Sequence, residues 1–255
     1  MAGETEMTDS TSLFTLEGKL AVVTGGERGI GRALAVGLQH AGAKVAVLDL
    51  GEGREAGGFP VIECDVSDER MVEAALAKVN SRIGSPDILV NNAGIDSLQP
   101  ASTYPTETWQ RIIGVNLTGA LFCARRVGSD LIAAGRSGRI INIASVLGHV
   151  APSMQTAVAY SAAKSGLLGM TRALAVEWAA HRINVNAICP GFVVTDLTAS
   201  RLADADYERR MKHRIPAGRF AQPGGLVSAA VFLASPAADL VTGHALNVDA
   251  GWMAA

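Results

Sequence analysis

The sequence has few cysteines, few aromatic residues and no long apolar run. Its 255 residues include 3 cysteines and 5% aromatic residues. The cysteines are widely spaced and form no C-x-x-C pair, so neither a disulfide framework nor a zinc knuckle is expected. Apolar stretches stay shorter than the roughly 18–20 residues that span a bilayer, and the opening MAGETEMTDSTS is polar and acidic, unlike a secretion signal. We therefore expect a soluble cytoplasmic protein without a membrane partner.

A surplus of charge of either sign is also missing. The chain has 22 Lys and Arg against 24 Asp and Glu, a formal net charge of -2. Proteins that bind nucleic acids normally carry a clustered basic surplus, so no nucleic-acid partner is expected. The hydrophobic content of 49% excludes disorder as the main state of the chain. Since no repeat or linker divides it, we expect a flexible tail over residues 1–15 and one domain over residues 16–255.

Beyond the tail, short β-rich runs alternate with longer stretches of helical periodicity. Strands are predicted over residues 20–25, 44–50, 59–66, 87–92, 138–145, 182–190 and 244–249. Helices are predicted over residues 30–40, 69–83, 106–134, 156–180 and 223–234. Nearly continuous apolar runs such as VAVL and IINIA are typical of parallel strands covered by helices on both faces. The pattern predicts an α/β fold: a single doubly wound, Rossmann-like domain with a mostly parallel seven-stranded sheet between helices.

Two connections between these elements carry further predictions. The second and third strands are joined by GEGREAGG, which is shorter than the ~12 residues of a usual parallel crossover. We expect the crossover helix to be reduced to a turn there, with a less covered sheet edge as the alternative. Ser67 and Asp68 precede the second helix and are predicted to cap it.

A glycine-rich turn, TGGERGIG, comes after the first predicted strand and opens the first helix. Glycines permit the tight turn and let the backbone approach a pyrophosphate, which N–H groups and the helix dipole then stabilise. The glycine pattern alone equally fits an ordinary turn, but its place between a strand and a helix favours a dinucleotide site. We expect nucleotide contacts from the turn residues Gly25, Arg28, Gly29, Ile30 and Gly31.

An acidic residue, Asp49, ends the second predicted strand about 20 residues beyond the turn. An acid in this position accepts hydrogen bonds from the adenosine ribose 2′-OH, which indicates NAD as the cofactor. The carboxylate would repel a 2′-phosphate, whereas Arg28 could attract it, so NADP is the alternative. A phosphate contact or a solvent-facing charge is the simpler interpretation of Arg28.

A tyrosine and a lysine four residues apart, Tyr160 and Lys164, share one face of a predicted helix. A free phenol has a pKa of ~10, and a nearby ammonium would favour the phenolate and lower that pKa. We therefore expect Tyr160 to be the general acid and base, with a structural tyrosine beside an unrelated lysine as the alternative. Ser145 ends a predicted strand at the carboxyl edge of the sheet, where its hydroxyl can hold a substrate oxygen beside Tyr160.

Five motifs, in order, resemble the classical short-chain dehydrogenase/reductase family over about residues 18–251: T-G-x-x-x-G-x-G, N-N-A-G, the serine, Y-x-x-x-K, and P-G with Thr195 after it. The resemblance implies hydride transfer between NAD(P) and a small secondary alcohol or ketone. It implies that Lys164 also binds the nicotinamide ribose, and that Asn116 supports a water in proton transfer; a side-chain cap on a local carbonyl is the alternative for Asn116. No metal is needed, and the five histidines lack metal-ligand spacing.

The resemblance also implies which residues surround the nucleotide. Asp65 should contact the adenine, although it could equally cap the next helix. The remaining expected contacts are Val66, Asn92, Ala93, Gly94, Tyr160, Lys164, Pro190, Gly191, Val193 and Thr195. The family's usual D-G-G near the end appears here as Asp249-Ala250-Gly251, which puts the backbone after the last strand in doubt.

Substrate choice is expected to depend on residues 149–159 and on residues 192–215. The second segment is long and mixed in charge, as in a mobile lid or a solvated helical pair. His149 and Gln155 offer polar groups for a substrate, in addition to Ser145 and Tyr160. The last third of the chain resembles family members that act on polyols, sugars and sugar acids. The alternatives are an NADPH-dependent 3-oxoacyl thioester reductase, which Asp49 disfavours, and a noncatalytic dinucleotide sensor.

Subunit association is a further implication of the resemblance. Family members are commonly homotetramers or homodimers that associate through the helices matched here by residues 106–134 and 156–180 and through the C-terminal segment. Alanine- and glycine-rich faces such as SAAKSGLLG allow close packing of this kind. The sequence does not choose between the two states.

Overall fold

The computed structural model of the protein describes residues 12–51, 58–151 and 156–255. Seven strands form one sheet in the order β3-β2-β1-β4-β5-β6-β7, and every pairing is parallel. The strands are β1 Leu20–Thr24, β2 Lys44–Asp49, β3 Val61–Glu63, β4 Ile88–Asn91, β5 Gly138–Ile143, β6 Ile183–Pro190 and β7 Ala245–Val248. The predicted doubly wound, Rossmann-like architecture is confirmed.

Helices cover both faces of this sheet. The eight described α-helices are α1 Gly29–His40, α2 Glu69–Arg82, α3 Thr106–Ile113, α4 Gly119–Ala133, α5 Val158–Trp178, α6 Asp196–Leu202, α7 Ala205–Arg214 and α8 Val227–Ala234. One core lies between the sheet and α1 and α8, and a second lies between the sheet and α2, α4 and α5. All residues of β1 and β6 are buried, as two covered faces require. None of the helices in the described ranges has both the length and the apolar character needed to cross a bilayer.

The cap predicted at the start of α2 is present and is made by Asp68. Its carboxylate accepts hydrogen bonds from the backbone N–H groups of Arg70 and Met71. These are first-turn donors that have no partner within the helix, so an acidic side chain satisfies them and also complements the helix dipole. Asp65 is therefore not the cap: it accepts hydrogen bonds from the backbone N–H and the hydroxyl of Ser67 instead.

The structure differs from the sequence prediction where tertiary contacts override local pattern. The predicted helix over residues 106–134 is divided into α3 and α4 by a π-helical segment, Gly114–Thr118. Within that segment the buried side chain of Asn116 bonds to the backbone of Ile95. At Gly119, the first residue of α4, a Cβ would lie 2.7 Å from the carbonyl oxygen of Val66. Strand β3 is shorter than predicted, and the turn expected between β2 and β3 lies outside the described residues.

The turn after β7 has Asp249-Ala250-Gly251 in place of the family's usual D-G-G. Ala250 and Gly251 nevertheless both adopt the left-handed conformation. Ala250 has φ of 57° and Gly251 has φ of 91°. The carboxylate of Asp249 accepts hydrogen bonds from the N–H groups of Gly251 and Met253, at 3.0 and 2.8 Å, and holds the turn in place. A residue with a Cβ is sterically disfavoured in this region, so Ala250 is a strained position.

Replacing Ala250 by glycine should therefore stabilise the protein. We expect Ala250→Gly to raise the free energy of unfolding by about 0.5–1 kcal/mol, because the relieved strain exceeds the added entropy of the unfolded chain. Ala134→Gly is the matched control, since Ala134 is also exposed but has φ of -86°. That control should lose stability by up to about 1 kcal/mol. Urea unfolding of both variants measures the two effects, and a loss of stability in Ala250→Gly would contradict the strain argument.

Candidate active site

A cleft with a volume of about 670 Å³ opens at the carboxyl edge of the sheet. All strands of a parallel sheet end at the same edge, so residues distant in sequence meet there. The predicted residues that line this cleft are Gly25, Arg28, Gly29, Ile30, Gly31, Asp49, Asp65, Val66, Asn92, Ala93, Gly94, Ser145, Tyr160, Lys164, Pro190, Gly191, Val193 and Thr195. The structure thus brings the nucleotide and proton-transfer candidates into one cavity.

The glycine turn forms one wall of the cleft, and its shape fits a bound pyrophosphate. Gly25 has φ of 63°, and a Cβ on it would lie 2.9 Å from the Cα of Ala93. A Cβ on Gly31 would overlap the carbonyl of Gly25. Within the described residues no side chain caps the first turn of α1, so its N–H groups face the cleft as donors for an anion.

A hydrogen-bonded clamp joins the ends of β1 and β4 beneath this turn. The hydroxyl oxygen of Thr24 accepts hydrogen bonds from the N–H groups of Asn92 and Ala93, at 2.9 and 3.0 Å. The amide of Asn92 in return donates to the carbonyls of Thr24 and Gly25, both at 2.9 Å. Asn92 thereby fixes the glycine turn, so its contribution to a nucleotide site is through the backbone geometry it imposes.

The adenosine end of the cleft is acidic. Asp49 accepts a hydrogen bond from the N–H of Glu27 at 3.0 Å and one from the N–H of Leu50 at 2.8 Å, which leaves a lone pair on each oxygen for a ribose. The carboxylate of Glu27 lies against Gly51 nearby. Arg28 is 3.9 Å from Asp196 at the start of α6, and both side chains are largely exposed. This end of the cleft therefore has the carboxylate of Asp49 in its lining and that of Glu27 nearby.

Tyr160, Ser145 and Lys164 form a second wall of the cleft. Tyr160 and Lys164 lie on one face of α5, with the ammonium 5.5 Å from the centre of the phenol ring. The Lys164 ammonium is buried and donates to the carbonyl of Ile143 at 2.7 Å. The hydroxyl of Ser145 is also buried, at the end of β5, and accepts a hydrogen bond from the N–H of Leu147.

The surrounding protein raises the pKa of Tyr160 to about 12, so the expectation of a lowered pKa is wrong for this arrangement. Desolvation of the hydroxyl is the largest cause, the charge of Asp96 adds to it, and a hydrogen bond with Ser145 opposes it. Burial likewise lowers the pKa of Lys164 to about 8, since the interior disfavours its ammonium form. The phenol is therefore protonated at neutral pH and can act first as a proton donor.

Two other predicted site residues, Asn116 and His149, are not in the lining of the cleft. Asn116 accepts a hydrogen bond from the N–H of Ile95 and donates one to its carbonyl, both at 2.8 Å. Its partner lies 21 residues away, so it does not cap a local carbonyl. The ring of exposed His149 is 3.4 Å from the sulfur of Cys189. Gln155 lies outside the described residues. Within the described residues no cluster of three or more metal-ligating side chains occurs.

The segment over residues 192–215 forms the helical pair α6 and α7 beside the cleft. Leu197 and Thr198 of α6 line the cavity. An ion pair joins Arg201 of α6 to Asp96, in the loop after β4, at 3.4 Å. The sequence analysis did not predict Asp96 or Arg201 as site residues, because neither belongs to a motif. The mixed charge of residues 192–215 was the only signal, and it concerns Arg201 alone.

The fold and the cleft together define a dinucleotide-dependent oxidoreductase of the α/β class. Residues 25–253 match a family model described as enoyl-(acyl carrier protein) reductase. The chain is 40% identical over 252 residues to the 2-dehydro-3-deoxy-D-gluconate 5-dehydrogenase of Dickeya dadantii, covering 94% of this chain and 98% of the relative. It is 39% identical to the D-threitol dehydrogenase of Mycolicibacterium smegmatis, covering 94% of each.

Solved structures agree with these sequence matches. The gluconate 5-dehydrogenase from Burkholderia cenocepacia, in complex with NADP and tartrate, superposes with a TM-score of 0.91 at 36% identity, covering 97% of this chain and 100% of that one. The chain belongs to the short-chain dehydrogenase/reductase family. It is an NAD(P)-dependent oxidoreductase that acts on CH–OH groups.

The buried Lys164 predicts a specific pH dependence of stability. Its pKa is about 8 in the folded protein, against an ordinary value of 10.5. Between those pH values the unfolded chain binds more protons than the folded one at this residue, so its contribution to stability rises with pH. The free energy of unfolding of the wild type should therefore increase relative to that of Lys164→Met from pH 8 to pH 10.5.

Urea unfolding of the two proteins at several pH values measures this difference. Lys78→Met is the control, because it removes an exposed ammonium from α2 and should leave the pH dependence of the wild type unchanged. A difference between wild type and Lys164→Met that stays flat or falls over this range would show that the folded state does not disfavour the Lys164 ammonium.

Proposed function

We propose that the protein is an NAD-preferring dehydrogenase of a small polyhydroxy compound, a polyol, sugar or sugar acid, with Ser145, Tyr160, Lys164 and Asn116 as its catalytic set. The observation that carries the proposal is that Ser145, Tyr160 and Lys164 line the same cleft as the glycine turn. This arrangement faces a proton-transfer group toward the cavity that the nucleotide and substrate must share. When bound, the nicotinamide supplies the hydride transfer.

Each residue of this set has a role that its contacts support. Ser145 and Tyr160 share a hydrogen bond and together would hold the substrate oxygen. The protonated phenol donates its proton to a carbonyl oxygen in reduction, and in oxidation it must first lose that proton, which positive charge nearby favours. Lys164 links α5 to the end of β5 and supplies that charge. Asn116 positions Ile95, which also lines the cleft.

The acidic adenosine end supports NAD over NADP. Asp49 and Glu27 would repel a 2′-phosphate, and Arg28 is directed toward Asp196 on α6. NADP is the alternative, because solved relatives were obtained with NADP bound. The same acidic end disfavours an NADPH-dependent 3-oxoacyl thioester reductase. A noncatalytic dinucleotide sensor is disfavoured because it would have no use for both Tyr160 and Lys164 in the cleft.

The assignment to polyols, sugars and sugar acids rests on the relatives, whose names include a ketogluconate dehydrogenase and a threitol dehydrogenase. We further propose that the chain consists of a flexible tail over residues 1–15 and one domain over residues 16–255. Within that domain, residues 192–215 act as a lid over the substrate. Exposed apolar side chains on α4 and α5, Leu121 and Val176, support a homotetramer or homodimer. All three cysteines are free and buried, which supports a cytoplasmic location.

Removing the phenol hydroxyl tests the catalytic assignment. Tyr160→Phe should lower kcat at least 100-fold while leaving nucleotide binding within about twofold, because the hydroxyl handles a proton and makes no contact that the fold needs. The assay is absorbance at the reduced-nicotinamide band with NAD and NADP against polyols, sugar acids, secondary alcohols and ketones. Tyr104→Phe is the control, since its hydroxyl bonds to the carbonyl of Ser97. A Tyr160→Phe enzyme with half the wild-type rate would refute the assignment.

Removing the ribose-facing acid tests the cofactor assignment. Asp49→Ala should lower kcat/KM for NAD and raise it for NADP, shifting their ratio at least tenfold, because the variant loses the ribose acceptor and the repulsion of a 2′-phosphate. Asp65→Ala is the matched control, since Asp65 lines the cleft but bonds to Ser67. It should weaken both nucleotides alike. An unchanged ratio in Asp49→Ala would make Asp49 a structural residue of the turn.

A further inference from the structure

An ion pair lies next to the substrate side of the cleft, which we define as the part between Ser145, Tyr160 and α6. Ile95, the residue before Asp96, and Thr198, three residues before Arg201, line the cleft. Asp96 lies in the loop after β4, and Arg201 lies in α6, with the carboxylate and guanidinium 3.4 Å apart. The Asp96 side chain is 9% exposed and the Arg201 side chain 18% exposed. An ion pair this well buried is screened little by salt or solvent, so its charges act strongly on whatever occupies the cleft.

Both partners are held by further hydrogen bonds. The second carboxylate oxygen of Asp96 accepts from the N–H of Ser97 at 2.7 Å, and Arg201 also donates to the carbonyl of Leu197 at 3.1 Å. Asn116 fixes the residue before Asp96 by two hydrogen bonds to Ile95. The loop and the helix therefore present the pair as one preorganised, nearly neutral unit.

The pair acts directly on the proton-transfer wall. The charge of Asp96 raises the pKa of Tyr160 and that of Arg201 lowers it, so the two charges oppose each other at the phenol. Val193 and Thr198 line the cleft and also line a small adjoining pocket that includes Arg201. Arg201 thus lies in a pocket that adjoins the cleft in which a substrate must lie to reach Tyr160.

The basic side chains that line the described cleft are Arg28, Arg111 and Lys164. Lys164 donates to the carbonyl of Ile143, and Arg28 faces Asp196. Arg111, on α3, lines the cleft near its nucleotide end: Gly114, three residues further along, lies against Ser67 there. A substrate carboxylate near Tyr160 would therefore meet Arg201 already compensated by Asp96, and would be repelled by the Asp96 carboxylate itself.

We propose that the Asp96–Arg201 pair makes the enzyme select uncharged polyhydroxy substrates, polyols or neutral sugars, over sugar acids. The inference rests on the proposed function and narrows its substrate class. A hydroxyl group can donate to the Asp96 carboxylate or accept from Arg201 without breaking the pair. A carboxylate must either displace Asp96 from Arg201, which leaves Asp96 buried and unpaired, or remain without a counter-charge.

The test compares substrates that differ only in one terminal group, a hydroxymethyl in the polyol and a carboxylate in the sugar acid. D-Glucitol and D-gluconate share the configuration of their remaining carbons, and D-threitol and D-threonate form a second such pair. The wild type should have a kcat/KM for the polyol at least tenfold above that for the matching sugar acid. A wild type that prefers the sugar acid in both pairs would overturn the proposal, whatever the variants do.

The variants assign the selection to the two residues. Asp96→Asn should shift the polyol to sugar-acid ratio at least tenfold toward the sugar acid, mainly through a lower KM for the sugar acid, because the Asp96 charge no longer offsets that of Arg201 or repels a substrate carboxylate. Adding Arg201→Gln to it should abolish that gain. Asp206→Asn, the control, removes an exposed acid that pairs with Arg209 on α7, and should leave the ratio unchanged.

Nucleotide binding and thermal unfolding of each variant establish that the variants are folded. A ratio in Asp96→Asn within twofold of the wild-type value would overturn the proposal, as would a gain that survives Arg201→Gln. If the wild type binds nucleotide but turns over no member of either pair and no other alcohol or ketone, the proposed function fails and this inference fails with it. Turnover with a preference for the sugar acid instead leaves the proposed function standing and rejects this inference alone.

Discussion

The parallel direction of all seven strands is the constraint on which the site depends. Because every strand points the same way, β1, β2, β4, β5 and β6 deliver their last residues to one edge. The glycine turn, Asp49, Asn92, Ser145 and Pro190 lie there for that reason alone. The parallel arrangement also requires helices on both faces, and the two apolar cores satisfy this requirement. The cleft is therefore a consequence of the sheet, and its chemistry is set by the residues at the end of each strand.

A buried polar chain then fixes α5 relative to this edge. Asn91 of β4 donates to Asn142 of β5 at 2.9 Å, and Asn142 donates to the hydroxyl of Thr171 on α5, also at 2.9 Å. Two turns earlier in the same helix, Lys164 donates to Ile143 of β5. Buried amides and ammonium groups are costly without partners, so these bonds permit one placement of the helix on the sheet. That placement brings Tyr160 to Ser145.

Much of this arrangement could be predicted from the sequence, and the rest depends on contacts between distant residues. The apolar runs and the glycine turn have local causes, so the sheet and the nucleotide wall could be deduced from them. The π-helical segment around Asn116 arises from its bonds to Ile95, which no periodicity encodes. The raised pKa of Tyr160 has the same kind of origin, because burial in the folded protein and the charge of Asp96, 64 residues away in sequence, both raise it. The pair of Asp96 and Arg201 joins residues 105 positions apart outside any motif.

The two ends of the cleft use charge in opposite ways. At the adenosine end, Asp49 and Glu27 keep carboxylates that no basic side chain in the described structure is seen to neutralise, and such a field can reject an anion that carries one more charge. At the substrate side, Asp96 and Arg201 cancel each other, and a compensated pair removes the attraction that an anion would need to enter. In the proposed selection of NAD over NADP, rejection comes from repulsion, and in the proposed selection of polyols over sugar acids it comes from the cost of desolvating a charge without a partner. A polyhydroxy compound avoids both costs, since its hydroxyl groups exchange water for hydrogen bonds to groups that stay paired.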